Sequence, residues 1–227
     1  MSDSRGVLLL SGGMDSVSLL GKVLQDGWSI YPVIFDYGQR HRTAENEAAK
    51  KVWDFYKRKY PNTLFPFKLM KLDLTQIGNS ALTDSKIEVP NNMEGQPTTV
   101  VPFRNSIMLL YAAGYAESLK IYDLFITPVA EDFASFEDCR EYTFKTLEAY
   151  MSMASKGQKA FHINVPFVNT WKKDIVAWGL KNGVPYNLSH TCYKGVSPAC
   201  GTCPACIERK LAFGSNGVVD PILYAVC

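Results

Sequence analysis

Short apolar runs alternate along this chain with stretches in which apolar residues recur every three to four positions. Residues 7–10 form an apolar run that ends at a glycine pair, and from 17 to 24 the apolar positions fall at helical spacing, so the opening reads strand, loop, helix. Residues 30–35 read as a buried strand stopped by Asp36-Tyr37-Gly38, and 43–59 as a charged amphipathic helix. The alternation continues with strands over 67–72, 124–127 and 162–165 and helices over 104–119, 139–153 and 171–181. Strands that alternate with helices imply a doubly wound parallel α/β sheet, because parallel neighbours must be joined by crossovers. Residues 75–101 break the rhythm: they are polar, aperiodic and punctuated by Gly78, Pro90, Gly95 and Pro97, and read as a mobile loop over the site.

The 227 residues are 47% hydrophobic, enough for one substantial core and a small addition, which divides the chain into a sheet domain over 1–188 and a cysteine-bearing segment over 189–227. A formal charge of +2 with no long run of one sign argues against a nucleic-acid footprint and favours small-molecule partners. The polar start and the shortness of the first apolar run exclude a signal peptide or membrane span there, so a cytoplasmic protein is expected.

Between the first strand and helix stands Ser11-Gly12-Gly13-Met14-Asp15-Ser16. That placement aims backbone N–H groups and the positive end of a helix dipole at one point, where an anion belongs. The glycines permit close backbone approach, Ser11 and Ser16 add hydroxyls, and Asp15 is suited to holding Mg2+ against phosphate oxygens. No lysine follows the glycines, so the loop is not of the G-x-x-x-x-G-K-[ST] kind.

Near the other end, Cys192, Cys200, Cys203 and Cys206 follow the pattern C-x7-C-x2-C-x2-C. Four thiolates so spaced can converge on one tetrahedral ion, and Zn2+ is the leading reading over redox pairs or iron–sulfur ligation. Cys139 and Cys227 lie far from this cluster in sequence.

The loop resembles the signature of the PP-loop ATP pyrophosphatases, enzymes that cleave ATP to AMP and pyrophosphate while adenylating a substrate. Asp36-Tyr37-Gly38-Gln39-Arg40-His41 with Glu45, Pro102-Phe103-Arg104-Asn105, Glu131-Asp132, Asp138-Cys139-Arg140 and the four-cysteine tail narrow the resemblance to the 7-cyano-7-deazaguanine synthase family, over essentially the whole chain. The resemblance implies a homodimer that uses ATP, Mg2+, ammonia and 7-carboxy-7-deazaguanine. It assigns Ser11, Gly12, Gly13, Asp15 and Ser16, flanked by Leu10, Met14 and Val17, to the nucleotide. Lys172 corresponds to the lysine that similar enzymes place on the phosphates, and Asp15, Ser16, Lys172 and Arg104 are the candidate catalytic residues. Asp36, Gln39 and Arg40 follow a strand at the carboxyl edge where open α/β sheets bind ligands, and His41 there is a candidate acid or base. Arg104 and Asn105 suit the nucleotide or the substrate carboxylate, Asp132 or Asp138, with Glu131 nearby, the donor edges of the base, and Phe136 or Phe133 its ring face, with Arg140 in the same substrate set.

This chain departs from the family pattern near the presumed base pocket. The family's S-G-Y-P-D-C-R becomes residues 134–140, Ala-Ser-Phe-Glu-Asp-Cys-Arg, its P-G-R-N becomes Pro-Phe-Arg-Asn over 102–105, and its T-W-S-C-Y becomes Ser189-His190-Thr191-Cys192-Tyr193. Rival readings are therefore a paralogue that stops at the amide or passes the acyl group to an amine of another molecule, a protein included; a PP-loop RNA thiolase; and a zinc-bearing binding module with an inactive nucleotide domain.

Overall fold

Strand β1 (Arg5–Leu9) is the hub of the sheet: β2 (Ser29–Asp36) pairs parallel on one side, Val7 opposite Tyr31, and β4 (Asp123–Phe125) on the other, Val7 opposite Leu124. β3 (Lys68–Lys71) extends the sheet beyond β2 and β5 (His162–Asn164) beyond β4, giving five parallel strands in the order β3-β2-β1-β4-β5. The computed structural model describes residues 4–134 and 136–225, so Ser135 and Cys227 lie outside the described residues.

The period-two alternation of β1 and β2 divides the core. Leu8, Leu10, Ile30 and Ile34 face one side, where they join residues of α1 (Met14–Gln25), α2 (Arg42–Lys59), α5 (Lys172–Asn182) and α6 (Pro204–Gly214). Val7, Leu9, Val33 and Phe35 face the other, against α3 (Arg104–Ser118) and α4 (Glu141–Ala154). With helices on both faces, near-continuous apolar strands are what burial requires. The chain runs outward from β1 to β3, then returns beside β1 as β4, so the sheet switches direction between β1 and β4 and its ligand-binding crevice falls at their carboxyl ends.

Two sequence expectations change form. Residues 75–101 are not a loose flap: Ala81, Leu82 and Val89 are buried, Thr75–Ile77 and Gln96–Thr99 form single 3-10 turns, and Arg40 Nη2 donates to the Asp84 and Ile87 carbonyls at 2.8 and 2.9 Å. A side chain from outside the segment satisfies its backbone, a device that periodicity cannot reveal. The start expected for α4 at Cys139 is instead a 3-10 turn, Glu137–Cys139, followed by the helix from Glu141.

Candidate active site

Gly12 sits at φ +80°, where a Cβ would meet the backbone N of Ala49 at 2.6 Å and the O of Glu45 at 2.8 Å. Only glycine lets the loop press this closely on α2. Gly13, extended, is the N-cap of α1, and no side chain caps that helix, so its first N–H groups face the crevice beside the Ser11 and Ser16 hydroxyls, which lie 2.9 Å apart. Gly13 N–H donates to Ser11 Oγ at 3.1 Å and Ser16 Oγ donates to the Gly13 carbonyl at 3.1 Å, which ties the two hydroxyls and the turn into one compact hydrogen-bonded set at the start of α1. Beneath it Leu10, Met14 and Val17 are buried.

A cleft of about 240 Å³ opens from this loop across the carboxyl ends of β1, β2 and β4. At its loop end, Lys172 begins α5; its backbone N–H donates to Glu131 Oε1 at 2.8 Å, and its buried ammonium donates to Glu208 Oε2 with Asp132 Oδ1 at 3.8 Å. Asp132 is held by the Val129 N–H at 3.0 Å. Burial works against the Lys172 charge, but Asp132 and Glu208 outweigh it and hold the group well above the usual lysine range. Asp15 lies in the same field: burial pushes its carboxyl up to about 7, with Lys172 partly opposing.

At the far end of the cleft Arg104 Nη1 donates to the Tyr37 hydroxyl at 3.5 Å and Asn105 is fixed by Asp138, which accepts from its backbone N–H at 2.9 Å and from Nδ2 at 3.3 Å. Burial drives the Tyr37 phenol up to about 12, so it stays a neutral hydroxyl. His41 Nε2 stands 3.4 Å from Glu45 Oε2, which also accepts from Gln39 Nε2 at 2.9 Å. Asp15 Oδ1, His41 Nδ1, Asn46 Oδ1 and Thr127 Oγ1 belong to cleft-lining residues and have no hydrogen-bond partner among the described residues. Such atoms are costly to bury unless a ligand, ion or water completes them.

The cleft thus gathers Leu10, Ser11, Gly13, Met14, Asp15, Ser16, Arg104, Asn105, Asp132 and Lys172 from the sequence reading. Other expected residues stand behind it. Gln39 is buried on the Phe35 carbonyl and the Tyr37 N–H, Arg40 braces residues 84–87, and Asp36 accepts from the Gly38 N–H at 3.2 Å. Glu131 and Asp132 serve Lys172 at the loop end and Asp138 serves Asn105 at the other, so the three acids do not form one group. Phe136 is buried, and Arg140 is exposed near Glu137.

Sequence reasoning missed Glu208 and Arg209 and gave no role to His190, Thr191 and Tyr193, which it noted only as a departure from the family pattern; all five line the cleft. The signal for the first two was there: Pro204 after Cys203 is a helix start, and Ala205, Glu208 and Arg209, at i, i+3 and i+4, share one helix face.

Beside the cleft the four sulfurs of Cys192, Cys200, Cys203 and Cys206 lie within 4.8 Å of one another, all buried. The Cys200 and Cys206 sulfurs are 3.9 Å apart, too far for a disulfide and close to the edge of about 3.8 Å that Zn–S bonds of about 2.3 Å set in a tetrahedron. N–H groups of Cys200 and Cys203 point at the Cys192 and Cys200 sulfurs at 3.4 and 3.3 Å, as thiolate ligands need, so the cluster is compatible with Zn2+.

An uncapped glycine turn at the switch point of a five-stranded parallel sheet, with a buried lysine alongside, defines the class as a doubly wound α/β protein. The chain belongs to the family of the queuosine biosynthesis protein QueC, whose family model matches residues 5–217. A 7-cyano-7-deazaguanine synthase of Thermoplasma volcanium is 42% identical over 97% of this chain and 91% of its own length. One of Pseudomonas putida W619 is 39% identical over 99% of this chain and 100% of its own. Among solved structures, NMN synthetase from Francisella tularensis aligns with 96% of this chain and 79% of its own at 17% identity and a TM-score of 0.47.

Proposed function

We propose that this chain is an ATP-dependent carbon–nitrogen ligase that converts 7-carboxy-7-deazaguanine and ammonia, by way of the amide, into 7-cyano-7-deazaguanine. The observation that carries the reading, beside the names of its relatives, is the meeting of the uncapped α1 start with the buried Lys172 ammonium in one cleft. A carboxylate oxygen is a poor leaving group until it is transferred to AMP, so the substrate oxygen attacks the α-phosphorus of ATP and pyrophosphate leaves. Ammonia then attacks the acyl carbon, loses a proton and expels AMP to give the amide. A second ATP activates the amide oxygen in the same way, and loss of AMP and the remaining N–H protons leaves the nitrile.

In this reading the N–H groups at Gly13 and the start of α1, with Ser11, Ser16 and Lys172, take the departing pyrophosphate charge. Asp15, whose Oδ1 has no partner among the described residues, would hold Mg2+, which when bound offsets phosphate charge among the carboxylates of Asp15, Asp132 and Glu208. Arg104 and Asn105 orient the substrate carboxylate at the far end. The four cysteines hold Zn2+ as a structural ion. A homodimer in the cytoplasm completes the reading; no helix among the described residues is long and apolar enough to cross a membrane.

The rival readings have less support. All five described cysteines are buried, which disfavours a thiolase needing an accessible nucleophile. The test is incubation with ATP, Mg2+, ammonium and 7-carboxy-7-deazaguanine, with acid, amide and nitrile resolved by mass. Nitrile formed with two AMP per molecule is the expected result. Accumulated amide without nitrile would favour the shorter pathway, and unconsumed acid would overturn the proposal.

A further inference from the structure

Arg209 is the largest fully buried side chain among the described residues, with no exposed surface. A guanidinium in such a place must spend all of its N–H donors. Nε donates to Asp220 Oδ2 at 2.7 Å and Nη2 to Asp220 Oδ1 at 2.9 Å, a bidentate pair that ties α6 to the chain beyond it. The remaining bonds go elsewhere: Nη1 to Ser189 Oγ at 2.7 Å and Thr191 Oγ1 at 3.1 Å, and Nη2 to the Tyr186 carbonyl at 3.0 Å. Arg209 therefore grips the segment 186–191 at three points.

The residue at the centre of that grip meets the anion loop. The backbone N–H of His190 donates to the Gly12 carbonyl at 2.9 Å. A peptide unit is planar and trans, so a carbonyl fixed on one side sends the N–H of the next residue to the opposite side. Fixing the Gly12 oxygen on His190 thus fixes the direction of the Gly13 N–H, which donates to Ser11 Oγ at 3.1 Å where both residues line the cleft. On its other flank Gly12 has no room even for a methyl group, since a Cβ there would meet the backbone of α2 at Glu45 and Ala49.

We propose that Arg209 is a positioning residue for the nucleotide: through Ser189, His190 and Thr191 it sets the orientation of the Gly12–Gly13 peptide and so the geometry in which the loop receives a phosphate oxygen. The inference rests on the reading that this loop takes the phosphates of ATP. It makes the cysteine-bearing segment a part of the nucleotide site, since α6 begins at Pro204 beside two of the four sulfurs and carries Arg209 five residues on.

The test separates positioning from mere support. ATP binding is titrated in the absence of the acid, for the full-length protein, with Arg209→Lys, Ser189→Ala/Thr191→Val and, as the conservative control, Thr191→Ser. KM for 7-carboxy-7-deazaguanine, metal content and melting temperature are measured alongside, well below the melting transition. Positioning predicts ATP affinity about tenfold weaker in the double variant, as for the loss of about one charged hydrogen bond, with the KM for the acid within twofold of wild type and Thr191→Ser close to wild type. If Arg209→Lys does not fold, the double variant decides, because it leaves the Arg209–Asp220 pair intact. Unchanged ATP affinity in the double variant, or equal weakening of both ligands together with a fall in melting temperature, overturns the inference. A wild-type protein that binds no ATP would instead overturn the reading of the loop itself.

Discussion

Lys172 and Glu208 meet across the cleft as an ammonium and a carboxylate that are both almost wholly enclosed, one at the start of α5 and the other on the cysteine-bearing side of the fold. An ammonium has three donors; Glu208 takes one and Asp132 stands at 3.8 Å, so donor capacity remains for a ligand oxygen. Glu208 Oε1 also accepts from Gln96 Nε2 at 3.3 Å, which draws the chain between β3 and α3 to the same point. Lys172→Met should lower pyrophosphate release by about a hundredfold or more, in line with the loss of one charge-stabilising group. Glu208→Ala, which frees the ammonium without removing it, should cost about tenfold, chiefly in KM for ATP. Steady-state pyrophosphate assays at varied ATP check both, and wild-type kinetics in Lys172→Met would remove the lysine from the chemistry.

The carboxyl of Asp15 makes a prediction of opposite sign for stability and for activity. Its pKa stands at about 7 in the folded protein against 3.8 as the ordinary value, so the folded state holds this proton more tightly than the unfolded one. The stabilisation from that proton is fully present below about pH 4 and is lost as pH rises through 7. Asp15→Asn, neutral at every pH, should therefore melt higher than wild type at pH 8, and the advantage should shrink as pH falls toward 4. Adenylation should be lost in the same variant, because Asn brings no charge to a metal ion. Thermal melts across pH without nucleotide, alongside pyrophosphate release, test the pair; an advantage that grows toward acid pH would contradict the assignment.

The four buried sulfurs should bind about one zinc ion per chain. Cys203→Ser should reduce zinc content and stability together, since loss of a structural metal is among the few changes that cost upwards of about 4 kcal/mol. At 2–4 °C per kcal/mol for a chain of this size, that is a fall of roughly 8–16 °C in melting temperature. Elemental analysis with matched melts measures it. Zinc-free protein whose melting is unchanged by the substitution would dismiss the metal.

Legibility in the sequence followed locality. The strands and α1 through α5 show in the hydrophobic period to within a few residues, because each buries one stripe or one alternating face. The glycine turn and the four cysteines were also legible, since each works within a short stretch of chain. Glu208 and Arg209 were not, although their helix has a proline at its start: its buried face runs through Cys206 and Arg209, so no continuous apolar stripe marks the helix that carries Ala205, Glu208 and Arg209. The roles of Glu131, Asp132 and Asp138 could not be separated either. Their positions depend on which helix start each acid meets, Lys172 for the first two and Asn105 for the third, and that is set by the order β1-β4-β5 and not by neighbours in sequence.

Asp138 provides the test of the far end of the cleft. Both of its oxygens accept from Asn105, one from the backbone N–H and one from Nδ2, so it fixes the first turn of α3 and the direction of the Asn105 amide together. If Asn105 and Arg104 orient the carboxylate of the deazaguanine acid, Asp138→Ala should weaken the acid while leaving ATP binding near wild type. One hydrogen bond to a charged group is worth about 1.5–3 kcal/mol, or roughly one to two powers of ten in affinity. Because Asp138 acts through Asn105, Asn105→Ala should cause a similar loss, and the double variant should be little worse than either single one. Calorimetric titration of acid and ATP against the three variants decides the matter. Losses that add across the two residues would place Asp138 in contact with the ligand on its own account, and equal weakening of acid and ATP would mean that the carboxylate merely holds the fold.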